Sequence, residues 1–286
     1  MKSYGLFKEK IAALRQPFRK EEIEKDITNR LNFGKNYIMK LYYKYMDAVI
    51  LCGGFAKRLL PISEFIPKPM LPLGGKPLLD HIIDRIVKLK LDKVYLSVNK
   101  KFQDQFKYYS SKRNDIEIDL IVEPTMREEE KLGAIKGLYF ALEKIQNDDF
   151  LVVAGDNYFD FELLKLYDFY FNKKSITIGL YDLKDYEDAK RFGVVEIDEN
   201  NKIKSFEEKP NTPKSKLIST GIYIFPNNIK YKLSNYISYK NNPDQLGHFI
   251  SWLIKNETVY GIPLKGKWYD IGTIDTYREL YNSFLP

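Results

Sequence analysis

Residues 47–61 read DAVILCGGFAKRLLP. The stretch begins as an unbroken apolar run over Ala48–Cys52, leaves it through Gly53 and Gly54, and then presents Lys57 and Arg58. Apolar residues without polar alternation mark a strand covered on both faces, which is how parallel sheets are buried. Paired glycines at its end serve a tight turn. They serve equally a loop whose backbone N–H groups must approach phosphate oxygens without a Cβ in the way. A turn has no use for an arginine, whereas a phosphate loop does, because the guanidinium fork matches phosphate geometry. The spacing is neither G-x-x-x-x-G-K-[ST] nor G-x-G-x-x-G, so neither familiar nucleotide loop accounts for it.

Working outward, short β-rich runs recur at AVILC, KVYLSVN (93–99), IEIDLIVE (116–123) and FLVVAG (150–155), with helical patterns at 77–90, 101–111 and 131–145 between them. Strand–helix alternation with continuously apolar strands predicts an α/β fold: a mostly parallel central sheet flanked by helices, Rossmann-like, binding ligands beyond the carboxyl ends of its strands. Beyond about residue 175 the pattern changes to SITIGLY, GVVEID, KIKSFEE and ISTGIYIF with few helices between, which predicts an antiparallel addition forming a second wall. Helical patterns return at 243–255 and 273–282.

The composition bounds the function. The chain has 286 residues, 44% hydrophobic and 30% charged, as expected of a globular protein with a sizeable core. Cys52 is the only cysteine. That excludes an intrachain disulfide or a cysteine metal cluster and points to a reducing, cytoplasmic compartment. No apolar run approaches the roughly 18 residues of a membrane span, and the first residues lack a secretory signal pattern. Of the net charge of +7, residues 1–46 carry +6, so the remainder is close to neutral. A near-neutral body argues against nucleic acid as its ligand. The expected organisation is a basic extension over 1–46, helical or loosely ordered, ahead of a catalytic domain over 47–286. Met46 is an alternative start.

The continuation of the opening stretch, EFIPKPMLPLGGKPLLDHIIDRI, sets Lys68 between two prolines, in stiff, non-helical backbone that holds it in place. Lys76 and Pro77 then open a helix. Together the blocks G-G-x-x-x-R-L-x-P, P-K-P-x-L-P and K-P-L resemble the sugar-1-phosphate nucleotidyltransferases, among them glucose-1-phosphate thymidylyl- and uridylyltransferases and mannose-1-phosphate guanylyltransferases. The resemblance continues in order through LVVAGDNYF, FGVVEIDENNKIKSFEEKP, STGIYIF and GKWYDIGTIDTY, and so spans 47–286.

The resemblance implies attack of a sugar 1-phosphate on the α-phosphorus of a nucleoside triphosphate, with pyrophosphate leaving and glucose 1-phosphate with dTTP or UTP as substrates. Mannose-1-phosphate guanylyl transfer, cytidylyl transfer to another phosphomonoester, or a silent nucleotide-sugar-binding regulator are the alternatives. It implies Mg²⁺ as cofactor on Asp156 and Asp270, and Arg58 and Lys68 as the catalytic cations on the triphosphate. Gly53, Gly54, Glu123 and Gly133 fall at nucleotide positions, and Gly193, Glu208, Lys209 and Thr220 at sugar-phosphate positions. It leaves self-association into a homo-oligomer open. His81 fits the face of an amphipathic helix and is read as structural.

Three departures stand out. Ala56 and Lys57 replace the commoner glycine and threonine, and alanine is expected to impose a more ordinary backbone on the loop. In LGAIKG (132–137), Ala134 lacks a hydroxyl and Lys136 sets a long side chain where glycine is usual. Glu123 stands where thymidylyltransferases often carry a glutamine; a carboxylate can accept uracil or thymine N3–H, or the amino edge of guanine.

Overall fold

The computed structural model describes residues 46–89, 91–146 and 149–285. The expectations for the basic extension lie outside the described residues. In chain order, β1 (Met46–Leu51) leads through the glycine loop to a short hairpin of β2 (Pro72–Leu73) and β3 (Lys76–Pro77). There follow α1 (Leu78–Ile86), β4 (Lys93–Asn99), α2 (Gln103–Lys112), β5 (Glu117–Glu123), α3 (Ala134–Leu142) and β6 (Asp149–Ala154). β1, β4, β5 and β6 form the parallel core, in the spatial order β5-β4-β1-β6. The alternation of apolar runs and amphipathic helices predicts this arrangement, and the burial follows suit: Ala48, Val49 and Ile50 of β1 and Leu151 and Val152 of β6 are wholly enclosed.

Strand order reverses between β4 and β6 on either side of β1, which makes the carboxyl ends of β1 and β6 the switch point where an open α/β sheet leaves a crevice. Gly53 follows β1 there, Asp156 follows β6, and Glu123 closes β5 two strands away. Backbone bonds lock these ends together, Gly155 N–H donating to Leu51 O at 3.0 Å and Cys52 N–H to Ser97 O at 2.7 Å.

The remaining strands build the second wall. After β7 (Asn157–Phe159) and α4 (Leu164–Lys173) come β8 (Thr177–Asp182), β9 (Gly193–Ile197), β10 (Ile203–Glu208) and the long β11 (Leu217–Pro226). β11 pairs antiparallel with β6 through Ile222–Pro226, with β8 on both sides of a register shift between Ser219 and Tyr223, and with β9 at Ile218. It bends at Gly221, whose φ of +77° is left-handed and whose Cβ would meet Asn157 Nδ2 and Ala154 Cβ at 2.9 Å. The bend carries the sheet out of the parallel core and into the antiparallel addition.

The chain then forms α5 (Ile229–Ser238), α6 (Leu246–Leu253), β12 (Tyr260–Pro263), β13 (Trp268–Asp270) and α7 (Ile274–Asn282). One apolar cluster joins Val49 and Val152 of the sheet to Leu138 of α3, Leu233 of α5 and Phe249 of α6. A second, smaller cluster of Leu59, Leu71, Leu73, Leu78, Tyr158, Ile271 and Leu280 lies beneath the glycine loop. Each leucine enclosed there contributes about 2 kcal/mol over the exposed state. It thereby pins the loop exit, the Lys68 turn, β13 and α7 to one another. Among the described residues no helix is long and apolar enough to cross a membrane.

Candidate active site

A cleft of about 820 Å³ opens at the switch point, walled by the glycine loop, the 131–137 segment, β9–β11 and the 268–273 segment. Eleven of the twelve site residues expected from sequence line it; Thr220 does not.

Asp156 and Asp270, 114 residues apart, meet because β7 and β13 form a two-stranded antiparallel ribbon in which Asp270 faces Asn157. Ile271 N–H donates to Asp156 O at 3.3 Å and closes the ribbon's end. Both carboxylates face one ammonium: Lys68 Nζ lies 3.0 Å from Asp156 Oδ2 and 3.8 Å from Asp270 Oδ1. The Lys68 side chain is only 10% exposed, whereas Asp156 and Asp270 are 47% and 37% exposed, so the cation comes from behind and the carboxylates reach the cleft. Pro67, extended at φ −65°, and Pro69 fix the backbone from which Lys68 projects. Burial pushes the Asp270 carboxyl up, the charge of Asp156 pushes it further, and Lys68 opposes both.

The glycine loop divides its labour. Gly53 is required by its neighbour, since a Cβ there would stand 2.6 Å from Glu123 Oε1. Gly54 is exposed and faces open space, leaving its backbone accessible to a ligand. The expectation that Ala56 would impose ordinary backbone is overturned. Ala56 adopts φ 51°, ψ 46°, the left-handed conformation a glycine would take there. The chain keeps the loop's shape and bears the Cβ strain. Arg58 ends the loop, exposed at the cleft, and no described residue pairs with it. Lys57 reaches Glu129 at 3.6 Å across the loop's mouth.

Glu123 is buried between Gly53 and Gly137 and accepts a hydrogen bond from Ser97 Oγ at 2.8 Å. Burial pushes its carboxyl above the ordinary range, and the Ser97 hydroxyl pulls partly the other way. Gly133 has φ +80° and lies under the Pro243 carbonyl, 2.6 Å from where a Cβ would be. Lys136 is exposed and points away from the cleft, so the loss of glycine there obstructs nothing. The first N–H groups of α3 are taken, Ala134 donating to Asp244 O at 3.4 Å and Ile135 to Pro243 O at 3.0 Å.

On the opposite wall, Glu208 and Lys209 stand together with Nζ and Oε1 3.9 Å apart. Burial pushes the Glu208 carboxyl up, against the pull of Lys209 and His248. Gly193 is buried against Phe206, 2.4 Å from where a Cβ would be, so packing as well as the cleft demands a glycine there. Thr220 is turned away. Its hydroxyl donates to Gly179 O at 2.8 Å, and its carbonyl accepts from Asn157 Nδ2 at 3.0 Å and Trp268 Nε1 at 3.2 Å. It braces the bend at Gly221, and its neighbour Ser219 lines the cleft instead.

The model of the nucleotidyl transferase family matches residues 47–285. This chain belongs to that family. Its relatives include proteins named as bifunctional GlmU and one named for a mannose 1-phosphate reaction. The chain is 38% identical over 230 residues to the bifunctional protein GlmU of Methanococcus aeolicus, covering 79% of this chain and 51% of that one. It is 31% identical to a Sulfolobus acidocaldarius protein named as a mannose-1-phosphate guanyltransferase, covering 82% of this chain and 62% of the relative. The chain therefore spans about half to three-fifths of the length of these relatives. Among solved structures it superposes with a TM-score of 0.72 on a Bacillus anthracis protein named as a glucose-1-phosphate thymidylyltransferase, in complex with sucrose. That pair is 25% identical, over 84% of this chain and 95% of the other. A UDP-glucose pyrophosphorylase complexed with UDP-glucose shares the fold, with a TM-score of 0.72 at 22% identity over 84% of this chain and 98% of that one.

The nucleotidyltransferase cleft also contains residues that sequence reading passes over. Arg191 lines it near the ribbon, with Asp188 as its ion-pair partner at 3.1 Å. Trp268 packs edge-on against Phe192, ring centroids 5.0 Å apart. Gln245 stands between Glu208 and Lys209. Arg191 sits one residue ahead of the quoted block FGVVEID, and Trp268 lies inside the quoted block GKWYDIG, so those two signals were within reach. For Gln245 there was none, because its partners lie far back in the chain.

Proposed function

We propose that this nucleotidyltransferase joins glucose 1-phosphate to the nucleotidyl group of dTTP or UTP, releasing pyrophosphate. A bond forms between the sugar-phosphate oxygen and the α-phosphorus while the bond from that phosphorus to the bridging oxygen of the leaving pyrophosphate breaks. Two polyanions must meet, so the barrier is chiefly one of charge and alignment. The observation that carries this reading is the convergence of Asp156 and Asp270 on Lys68, with Arg58 and the Glu208–Lys209 pair around the same cleft.

In this reading Arg58 takes the charge of the β- and γ-phosphates, and Lys68 lies against the α-phosphate. Lys209 binds the sugar phosphate and Glu208 accepts from sugar hydroxyls. The carboxylate pair suits a divalent cation: both donors are hard oxygens, and Asp270 is held up in part by the Asp156 charge that a cation would offset. Among the described residues no third carboxylate, cysteine or histidine completes a metal cluster, so the remaining ligands would be water and phosphate oxygens. Bound on Asp156 and Asp270, Mg²⁺ would neutralise phosphate charge and orient the α-phosphate.

The base is assigned to Glu123. In its neutral form, the form that burial favours, the Glu123 carboxyl offers one donor and one acceptor, the complement of O4 and N3–H of uracil or thymine. The thymidylyltransferase-named structure supports this side. A second reading is favoured by the same residue when ionised. A carboxylate that only accepts is complementary to guanine, whose N1–H and amino group are adjacent donors, and one relative is named for guanyl transfer to mannose 1-phosphate. The test is a grid of nucleoside triphosphates against sugar 1-phosphates, scored by pyrophosphate release with and without Mg²⁺. We expect the highest kcat/KM for dTTP or UTP with glucose 1-phosphate, in Mg²⁺ only. A maximum at GTP with mannose 1-phosphate would select the second reading, and no release from any pair would overturn both.

A further inference from the structure

We infer that Gln245 is a positioning residue of the acceptor wall, a neutral spacer that holds Glu208 and Lys209 apart so that each keeps its charge for the sugar phosphate. The inference rests on the proposed reaction and deepens its acceptor side.

Glu208 and Lys209 are sequence neighbours of opposite charge in a common cleft, and without restraint their side chains would close into a direct ion pair. They do not: Nζ and Oε1 stay 3.9 Å apart, beyond hydrogen-bond distance. The Gln245 amide fills the interval, its nitrogen donating to Glu208 Oε1 at 3.2 Å and its oxygen accepting from Lys209 Nζ at 2.7 Å. This is the orientation in which neither end of the amide meets a like partner. An amide satisfies both charges with hydrogen bonds yet cancels neither, which no ionised side chain could do at that point.

The backbone around Gln245 is built to keep it there. Immediately before it, the carbonyls of Pro243 and Asp244 accept from the N–H groups of Ile135 and Ala134 on the nucleotide wall. Asn242 Oδ1 accepts from Asp244 N–H at 2.9 Å, and the Asn242 carbonyl accepts from Tyr236 Oη at 3.1 Å. Immediately after, Gln245 O accepts from His248 N–H at 3.2 Å, and Gly247 leaves room for Glu208 Oε2, 1.8 Å from where a Cβ would lie. On the other side Lys209 is held with φ +49° and its N–H on Phe192 O at 3.0 Å. The backbone is thus held at Gln245 and at Lys209, and the amide spans the interval between the two charged side chains.

The experiment compares wild type with Gln245→Met, which keeps length and volume but makes neither hydrogen bond, and with Gln245→Glu, which keeps the acceptor for Lys209 but sets a like charge against Glu208. Steady-state constants are measured for both substrates of the best pair in the grid, with melting temperatures alongside. A lost hydrogen bond to a charged group is expected to raise the sugar 1-phosphate KM roughly tenfold in either variant, leaving the nucleotide KM within about twofold and the melting temperature within a few degrees. In a Lys209→Ala background, Gln245→Met is expected to add little, because the spacer then has nothing to hold. An unchanged acceptor KM in both variants, an equal rise in both substrates' KM, or full additivity with Lys209→Ala would each overturn the inference. Wild type that transfers to no sugar 1-phosphate would instead overturn the proposed reaction, so the two failures are distinguishable.

Discussion

Glu123 stands where thymidylyltransferases often carry a glutamine and Ala56 where glycine is commoner, and both departures have measurable consequences. The Glu123 carboxyl is raised by burial, so the folded state holds its proton more tightly than the unfolded state. For a raised acid the stabilising contribution is present at low pH and is lost as pH rises through the folded pKa. Glu123→Gln keeps an acceptor for Ser97 and removes the cost of ionisation. The variant is expected to melt a few degrees higher than wild type above neutral pH, with the gain shrinking toward pH 4. Its amide, one donor and one acceptor at every pH, is expected to retain dTTP or UTP and to lose any use of GTP; a pH series of melting curves and the nucleotide panel check both. Ala56→Gly relieves left-handed strain at φ 51° and is expected to stabilise the fold by about 1 kcal/mol, read by urea unfolding, with turnover little changed.

Among the elements, α6 and the segment before it decide the acceptor wall. Gly247 lies at its start with Glu208 Oε2 where a Cβ would project. Gly247→Ala must therefore push the Glu208 carboxylate aside, and we expect the sugar 1-phosphate KM to rise at least tenfold while nucleotide binding, measured by calorimetry, holds. This wall was only partly legible in the sequence. The apolar runs of β1, β4 and β6 announced the parallel core because burial on both faces leaves a continuous signal. The helix α4, LKLYDFYFNK, carries a density of aromatic residues that blurs its period, and packing of Tyr167 and Tyr170 rather than propensity makes it helical. The ribbon of β7 and β13 has three residues per strand, too short for any pattern, yet it brings Asp156 to Asp270. Resemblance supplied that pairing; periodicity could not. Thr220 was placed in the sugar site by its neighbours in STGIYIF, whereas alternation along β11 turns its side chain inward and Ser219 outward.

At the scale of the molecule, one topological fact organises the rest. The strand order reverses beside β1, so the loops after β1 and β6 face a common crevice, and the bend of β11 at Gly221 folds a second wall over it. Loop cations, strand-end carboxylates and the acceptor pair enter that space from segments far apart in sequence. The proposed chemistry requires Asp156 and Asp270 to act there as a single cation site. The most direct test is Mg²⁺-dependent pyrophosphate release by Asp156→Asn, Asp270→Asn and the double variant, each shown to be folded by its melting curve. Residues acting as a unit fail as a unit: each single substitution should cost a factor on the order of 10³ in kcat, and the double variant should be little worse than either. Near-wild-type turnover in either single variant, or losses that multiply in the double, would contradict the shared site.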